Sequence, residues 1–548
     1  MVLQRARLNQ WARLYKGVHT WTGIVAGMAL FIAFYAGALT VFKAPLERWA
    51  SPPANTSAWV DVADTQALIQ QTLAQDPTVA DEFFIHLHPL EHRPAAMAWM
   101  VAAEGADEHD QLAQVHYQSF FDGDGELVIE QASPSPLAEF LDVLHRVVGL
   151  PFDTEYTRWV MGIFAVLYAL ALFSGLVVVL PTFAKDILSF RLGKNRKRMW
   201  LDAHNVVGIV SLPFHVIIAL TAVGFAFHDG IYMAQDKVVH DGTLIQSFRS
   251  GLPAPDPSPK EPADLLPPAK ILAQVEALAP EFEPTMLQYL RVTSPMPAVR
   301  VWGNDQQGMG ARAWGSFAIL HPYSGEVLNT DYLPSHQAAA FTAINTIFSL
   351  HFVTFGGTLE KWIYFILALA GAWLFYTGNL LWVESRRRSQ KPRQPLPVQR
   401  GNARWLASAT VGVCLGAVCG MSATIAATKW MHGWVDNLLL GHQLVYYVTF
   451  FLAIAWAFTV GAARASVQLL WVAAALTLSI AASSLLGWAG WVPAWWSHGS
   501  VAALGVDAMA VMGAACFGLM AMSTAKRVYS GSADSVWTVE APAVTATD

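Results

Sequence analysis

Runs of about 20 apolar residues recur along the chain, at 18–42, 158–181, 204–228, 361–383, 405–428, 442–461, 467–487 and 500–522. Runs of that length cross a hydrocarbon core roughly 30 Å thick. The pattern predicts an α-helical polytopic membrane protein of about eight spans, and an even number puts both termini on one side. Between the spans lie two long polar segments, 43–157 and 229–360. Each contains a short strand, a glycine turn and a second strand: "FFDGDGELV" from Phe120 and "LHPYSGEVL" from Leu320. In the second segment a Pro-rich linker, Gly251 to Lys270, leads into a helix at about 268–279 and then the strands "MLQYLRV" and "AVRVWG". The expected order is therefore first span 1–42, external α+β domain 43–157, second span 158–181, loop 182–203, third span 204–228, second external α+β domain 229–360, fourth span 361–383, linker 384–404, a four-span domain 405–522 and a polar, disordered tail 523–548.

Charge supplies the orientation. Arg5, Arg7, Arg13 and Lys16 precede the first span, Lys185 to Arg198 fill the loop after the second, Arg386 to Arg404 fill the linker, and Arg464, Lys526 and Arg527 follow. All fall on one side, which the positive-inside rule makes cytoplasmic. The expected location is a bacterial inner membrane with both termini cytoplasmic and both α+β domains periplasmic. The first apolar run is longer than a signal-peptide core and lacks a clear small-residue cleavage site, so it is expected to stay as an anchor. A composition of 54 % hydrophobic and 14 % charged residues agrees with a lipid partner, and the basic residues, confined to short loops, suggest no nucleic acid. Cys414, Cys419 and Cys516 all lie within spans, too few for a disulfide framework, a zinc site or an iron–sulfur site, and there is no CxxCH.

An internal repeat changes the picture further. "HTWTGIVAGMALFIAFYAGALTVF" from His19 lines up with "HNVVGIVSLPFHVIIALTAVGFAF" from His204, with a glycine four residues after each histidine. "LHRVVGLPFDTEYTRW" from Leu144 lines up with "LHFVTFGGTLEKW" from Leu350, and fifteen residues past each tryptophan comes Ser174-Gly175 or Thr377-Gly378. Span, external domain and span are thus written twice. Each copy has an even number of spans, so the copies run parallel about an axis along the membrane normal.

These paired motifs resemble the PepSY-associated transmembrane helix family, which includes iron-regulated inner-membrane proteins and haem-containing ferric-siderophore reductases. The resemblance covers residues 1 to about 388 and implies two PepSY-like domains outside the membrane. The four further spans depart from the family's four-span pattern, and their role does not follow from it.

Histidines at matched places suggest axial ligation, because haem iron takes a nitrogen on each face and two histidines across a helix pair can clasp the porphyrin. His19 with His204 is expected to hold one haem b near the cytoplasm, and His145 with His351 a second near the periplasm. Taken singly, each is as well explained as an interfacial or capping residue; the pairing is what favours ligation. His215, eleven residues past His204, returns to nearly the same helix face about 16 Å further on. It reads equally as a ligand or relay and as a hydrogen-bonded structural histidine beside Pro213. His86, His88, His92, His109 and His116 read as solvated surface. His432, His442 and His498 gather near span ends where Asp507 could meet them.

No Walker A loop, Rossmann GxGxxG, HExxH or GxSxG is present. Electrons would have to come from a cytoplasmic reductase or a membrane quinol. The resulting expectation is an oxidoreductase: a dihaem b-type protein passing electrons to a periplasmic acceptor, foremost a ferric siderophore approached past Trp302, Trp314 and Tyr323. The alternatives are a quinol-linked cytochrome with another acceptor, and a haem-free peptide-binding or transport protein.

Overall fold

The computed structural model describes residues 2–52, 59–89, 95–103, 111–132, 134–180, 196–243, 255–305 and 314–539. In chain order the helices are α1 (Val2–Thr40), α2 (Lys43–Ala50), α3 (Thr65–Gln75), α4 (Leu137–Arg146), α5 (Glu155–Val179), α6 (Arg196–Val210), α7 (Leu212–Ala226), α8 (His228–Val238), α9 (Pro268–Leu278), α10 (Ala339–Phe352), α11 (Thr358–Ser385), α12 (Gly401–Met431), α13 (Leu438–Val460), α14 (Ala462–Trp488) and α15 (Val501–Ser530). The strands are β1 (Glu82–His86), β2 (Met97–Ala102), β3 (Gln114–Phe121), β4 (Leu127–Ala132), β5 (Phe282–Leu290), β6 (Ala298–Asp305), β7 (Ser316–Leu320) and β8 (Val327–Asn329). Two compact units result: a helical one of Met1–Ser51, Ser135–Val223 and Tyr364–Asp548, and a second of Pro52–Pro134 and Gly224–Ile363.

In the helical unit, seven helices among the described residues are long and apolar enough to cross a membrane: α1, α5 and α11 to α15. The predicted third span is instead a broken pair, α6 and α7, bent by 67°. Pro213 explains the break, because it offers no N–H to the preceding turn and its ring crowds the carbonyl four residues back. With the pair counted as one span, the total is eight. α12 lies at the centre of the last four. Gly412, Gly416 and Gly420 form a small-residue stripe there, and a Cβ on them would sit 2.9 Å from Ile454, 3.1 Å from Ala453 and 2.8 Å from Tyr446 of α13. Without side chains at those positions the two backbones can approach closely, as membrane helices do where no hydrophobic force drives them together. Exposed tryptophans mark both ends of this bundle, Trp405 and Trp456 at one and Trp430, Trp434, Trp488 and Trp491 at the other, as an aromatic belt requires.

The tail differs from the sequence expectation. Residues beyond α15 fold back: Val539 donates its N–H to the Val528 carbonyl, Trp537 is buried beside Ala403 and Leu406, and Asp534 pairs with Arg387 of the linker. A buried indole and an ion pair order this segment, which its polar composition concealed. Residues 540–548, and with them the end of the predicted tail, lie outside the described residues.

In the other unit all eight strands form one antiparallel sheet, ordered β4-β3-β2-β1-β5-β6-β7-β8. The sequence reading assigns one hairpin domain to each external segment; the structure joins their strands edge to edge through β1 and β5, from Glu82 opposite Leu290 to His86 opposite Met286. Phe83 stacks on Tyr289 across the join at 4.6 Å, and Leu68, Ile69, Ile271 and Val275 of α3 and α9 complete a single core on that face. Pairing two strands that would otherwise be exposed edges removes their unpaired N–H and C=O groups from solvent. Both predicted turns are present, with Gly125 at φ 81° and Gly325 at φ 74°. Gly303 in β6 is set by close approach: a Cβ there would lie 2.3 Å from the Glu283 carbonyl oxygen, beside the β5 irregularity at Pro284 to Met286. Gly303→Val is expected to lower stability by about 3 kcal/mol through overpacking. Gly224→Ala, where nothing lies within 4 Å, should change it by less than about 1 kcal/mol. Thermal unfolding of the two full-length variants checks this, and equal melting would count against the packing described.

Candidate functional site

At one end of the helical unit, α1 carries His19 and α6 carries His204, each held by a different helix. His19 Nδ1 lies 2.8 Å from the Ala171 carbonyl oxygen of α5, so Nδ1 bears the proton and donates it. A Cβ on Gly175 would come within 2.9 Å of the His19 ring. His204 Nδ1 lies 3.1 Å from Thr377 Oγ1 of α11. Thr377 donates its own hydroxyl to the Trp373 carbonyl at 2.8 Å, which leaves the oxygen to accept from His204. Gly378 follows, its Cβ position 3.7 Å from the His204 ring. The two neighbourhoods share a histidine, a Ser174 or Thr377 hydroxyl bonded to its own preceding turn, and a glycine beside the ring, but differ in the acceptor, which is the Ala171 carbonyl for His19 and the Thr377 hydroxyl for His204.

This arrangement suits a metal ligand. A ligating histidine usually donates one ring N–H to a carbonyl or hydroxyl, which fixes the tautomer and leaves the other nitrogen's lone pair for the metal. In His19 and His204 that nitrogen is Nε2. Among the described residues no group of three or more His, Cys, Asp or Glu side chains could hold a bare metal ion. A haem iron makes no such demand, since porphyrin supplies four nitrogens and the protein only the axial ones.

His215 lies further along, past the bend, and is 3 % exposed. The 67° bend means that His204 and His215 do not lie on one continuous helix, yet both rings meet α11, at Gly378 and Gly371. His215 Nδ1 is 2.6 Å from the Tyr168 hydroxyl, which also reaches the His215 carbonyl at 3.3 Å. Its Nε2 is buried with no hydrogen-bond partner among the described residues. Phe34, Phe214 and Tyr168 pack around the ring, and a Cβ on Gly371 would lie 3.0 Å from it. When Tyr168 donates to the carbonyl and accepts from Nδ1, the Nε2 lone pair is left facing this aromatic pocket.

His145 is in the last turn of α4, in the helical unit. Its Nδ1 is 2.8 Å from the Ala33 carbonyl of α1, and a Cβ on Gly37 would come within 2.8 Å of the ring. Charges surround it. Lys43 of α2 pairs with Glu139 and with Asp142, Arg146 pairs with Glu139 and reaches Asp153 at 2.9 Å, and Arg158 holds Asp153 at 3.1 Å. Burial works against the Asp142 charge, but Lys43 and Arg146 outweigh it and hold the carboxyl below the usual carboxylate range. Asp142 and Glu139 likewise hold the Lys43 amine above its ordinary value against burial.

His351 belongs to the other unit, at the end of α10, with its ring 4.8 Å from Phe225. The two Leu-His motifs differ by one residue against their turns. Val148 and Val353 both take left-handed φ, 51° and 59°, and the N–H of the next residue returns to the carbonyl five back, Gly149 to Leu144 and Thr354 to Ser349. His145 precedes its valine by three residues and His351 by two. A β-branched residue at positive φ is costly and persists only where surrounding packing imposes it.

Of the weaker candidates, Trp302 is buried against Phe317 at 4.4 Å, Trp314 is exposed, and Tyr323 donates to the Val292 carbonyl. His92 and His109 lie outside the described residues. His442 Nε2 is 2.6 Å from Thr428 and His498 Nε2 is 2.8 Å from the Trp49 carbonyl. Asp507 instead accepts from Trp49 Nε1 and Ser484, both at 2.9 Å. The sequence reading passed over Tyr168, Trp49, Ser484 and Lys429; Lys429, a charge adjoining the apolar run 405–428, was the one visible signal.

No curated protein matches the chain. The family model of the PepSY-associated TM region matches residues 17–385, which takes in His19, His145, His204, His215 and His351 and stops before the last four helices. The chain therefore belongs to the PepSY-associated transmembrane family.

Proposed function

We propose that this membrane protein is a dihaem b-type oxidoreductase of a bacterial inner membrane, which reduces a ferric siderophore on the periplasmic side. The observation that carries the reading is the matched anchoring of His19 and His204, each with Nδ1 donated to the span where a hydroxyl residue and glycine meet. The same match supports an internal duplication of residues 1–388. Both termini are cytoplasmic in this reading, and the sheet unit is periplasmic, since the basic linkers cluster on the opposite side of the spans.

Bound haem supplies a one-electron carrier whose potential is tuned by its axial ligands and its burial. The chain's own part is to hold and dry the site. His19 and His204 present Nε2 with the tautomer fixed, and the Nδ1 of His145 is engaged by the Ala33 carbonyl. Phe34, Phe214 and Phe375 exclude water around His215. The substrate iron is released because siderophore oxygens are hard ligands that hold Fe(III) far better than Fe(II). The donor is a cytoplasmic reductase or a membrane quinol.

Protein purified from haem-replete cells should be red, with reduced-minus-oxidised bands of b-type haem and about two haems per chain. Once reduced with dithionite it should be reoxidised by a ferric siderophore, yielding Fe(II) that a ferrous chelator traps. Colourless, folded protein would overturn the redox reading in favour of a peptide-binding or transport role. Reoxidation by oxygen but by no ferric chelate would leave a quinol-linked cytochrome with another acceptor.

A further inference from the structure

The last four helices lie outside the family match, yet they contain a fully buried cation. Lys429, near the end of α12, is 0 % exposed. Its ammonium donates to Ser484 Oγ of α14 at 3.0 Å and to the Trp496 carbonyl at 2.7 Å, and lies 3.8 Å from the centre of the Trp49 ring. The balancing charge is Asp507 of α15, reached through intermediates. Ser484 accepts from Lys429 and donates to Asp507 Oδ1 at 2.9 Å, while Trp49 meets the cation with its face and the carboxylate with its N–H. Four helices thus converge on a charge pair separated by one hydroxyl and one indole. Asp507 is the half-exposed member, and Lys429 is sealed from water.

Such a pair is costly in lipid unless it is used, because an ionisable group within a span must be paired, hydrated or neutralised. Direct contact would be the cheaper way to neutralise two fixed charges. A serine between an amine and a carboxylate is instead the minimal hydrogen-bonded chain along which a proton can move. We propose that Lys429, Ser484 and Asp507 form a proton-exchange site, in which a proton from water binds at Asp507 and is shared with Lys429 through the Ser484 hydroxyl. The internal step is balanced: the Ser484 hydroxyl proton passes to Asp507 Oδ1 as one ammonium proton of Lys429 passes to Ser484 Oγ. Carboxylate and ammonium become carboxylic acid and amine, and serine ends as it began. The pair titrates as a unit. Trp49 on α2 reads the outcome, since a neutral amine no longer binds the ring as a cation does.

Other titratable groups stand on the elements packed around this site. On α2 these are Glu47 and Arg48, and Lys43, which is engaged by Glu139 and Asp142 of α4. His432, just past the end of α12, packs against Trp495, His442 on α13 is bonded to Thr428, and His498 is bonded to the Trp49 carbonyl.

Infrared difference spectra of the full-length protein in detergent, recorded against pH, test the proposal and need no haem. The unaltered protein should gain the C=O band of a protonated carboxylic acid as pH falls within about 9 to 5, and Asp507→Asn should remove that band. Lys429→Met, which deletes the nearby positive charge, should let the band persist to a pH higher by about one unit or more. Ser484→Ala keeps both charges and deletes the hydroxyl, so it should also move the midpoint, and it serves if Lys429→Met does not fold. An Asp507→Asn spectrum identical to the parent, or a band whose midpoint neither Lys429→Met nor Ser484→Ala moves, would overturn the proposal and leave a structural ion pair.

Discussion

His204→Ala is expected to retain about one haem per chain where the proposed dihaem protein would hold two, as read by the pyridine haemochrome assay. His204 is held from one side by Thr377, so in the proposed arrangement removing it would take away one of the two nitrogens holding the inner haem and leave His19 without its counterpart. His19→Ala should have the same effect, and the double variant should do no further harm, because the two act on one site. Thr377→Val is the sharper comparison. It keeps the ligand and removes only the acceptor for Nδ1–H, and loss of such an outer partner typically weakens metal binding by about 10–100-fold. Full haem content in all four variants would mean that these histidines hold nothing and that the repeat misassigns the inner site.

Asp153→Ala should cause a large loss of stability outside the spans. The Asp153 side chain is fully buried and accepts from Arg146 at 2.9 Å and Arg158 at 3.1 and 3.3 Å. Deleting it leaves two guanidinium groups facing each other without the carboxylate. Breaking a buried pair from one side costs about 3–5 kcal/mol, and since both arginines are about a quarter exposed, the lower end, about 3 kcal/mol, is the expectation. Arg146 follows His145 in α4, so loss of the outer haem should accompany the destabilisation. A melting temperature within a degree or two of the parent's would show that water already screens this cluster.

The apolar segments, and the presence of His19, His204 and His215 in them, follow from composition alone, because a hydrocarbon core demands apolar runs of a set length and polar residues inside them stand out; the 67° break in the third does not. The Ser174-Gly175 and Thr377-Gly378 pairs were visible as repeats, but not as the hydroxyl, backbone and space that receive an imidazole. The Leu-His motifs align by eye, yet the valine turns after them show a one-residue offset, since a helix end is decided by where the chain must reverse and not by the letters in register.

What the sequence by itself determined is therefore local: which segments are apolar, which turn, and which carry ionisable groups into the membrane. Tertiary structure decided the rest. β1 and β5 lie about 200 residues apart, and nothing in either predicts that their edges pair, because strand pairing is selected by which partner buries both faces. The tail's polar composition suggested disorder until Trp537 found a pocket and Asp534 found Arg387. Lys429 reads in one dimension as a flanking charge. Only the convergence of α2, α12, α14 and α15 makes it a buried cation with Asp507 one hydroxyl away, since burial and pairing are properties of the space between elements and not of any one of them.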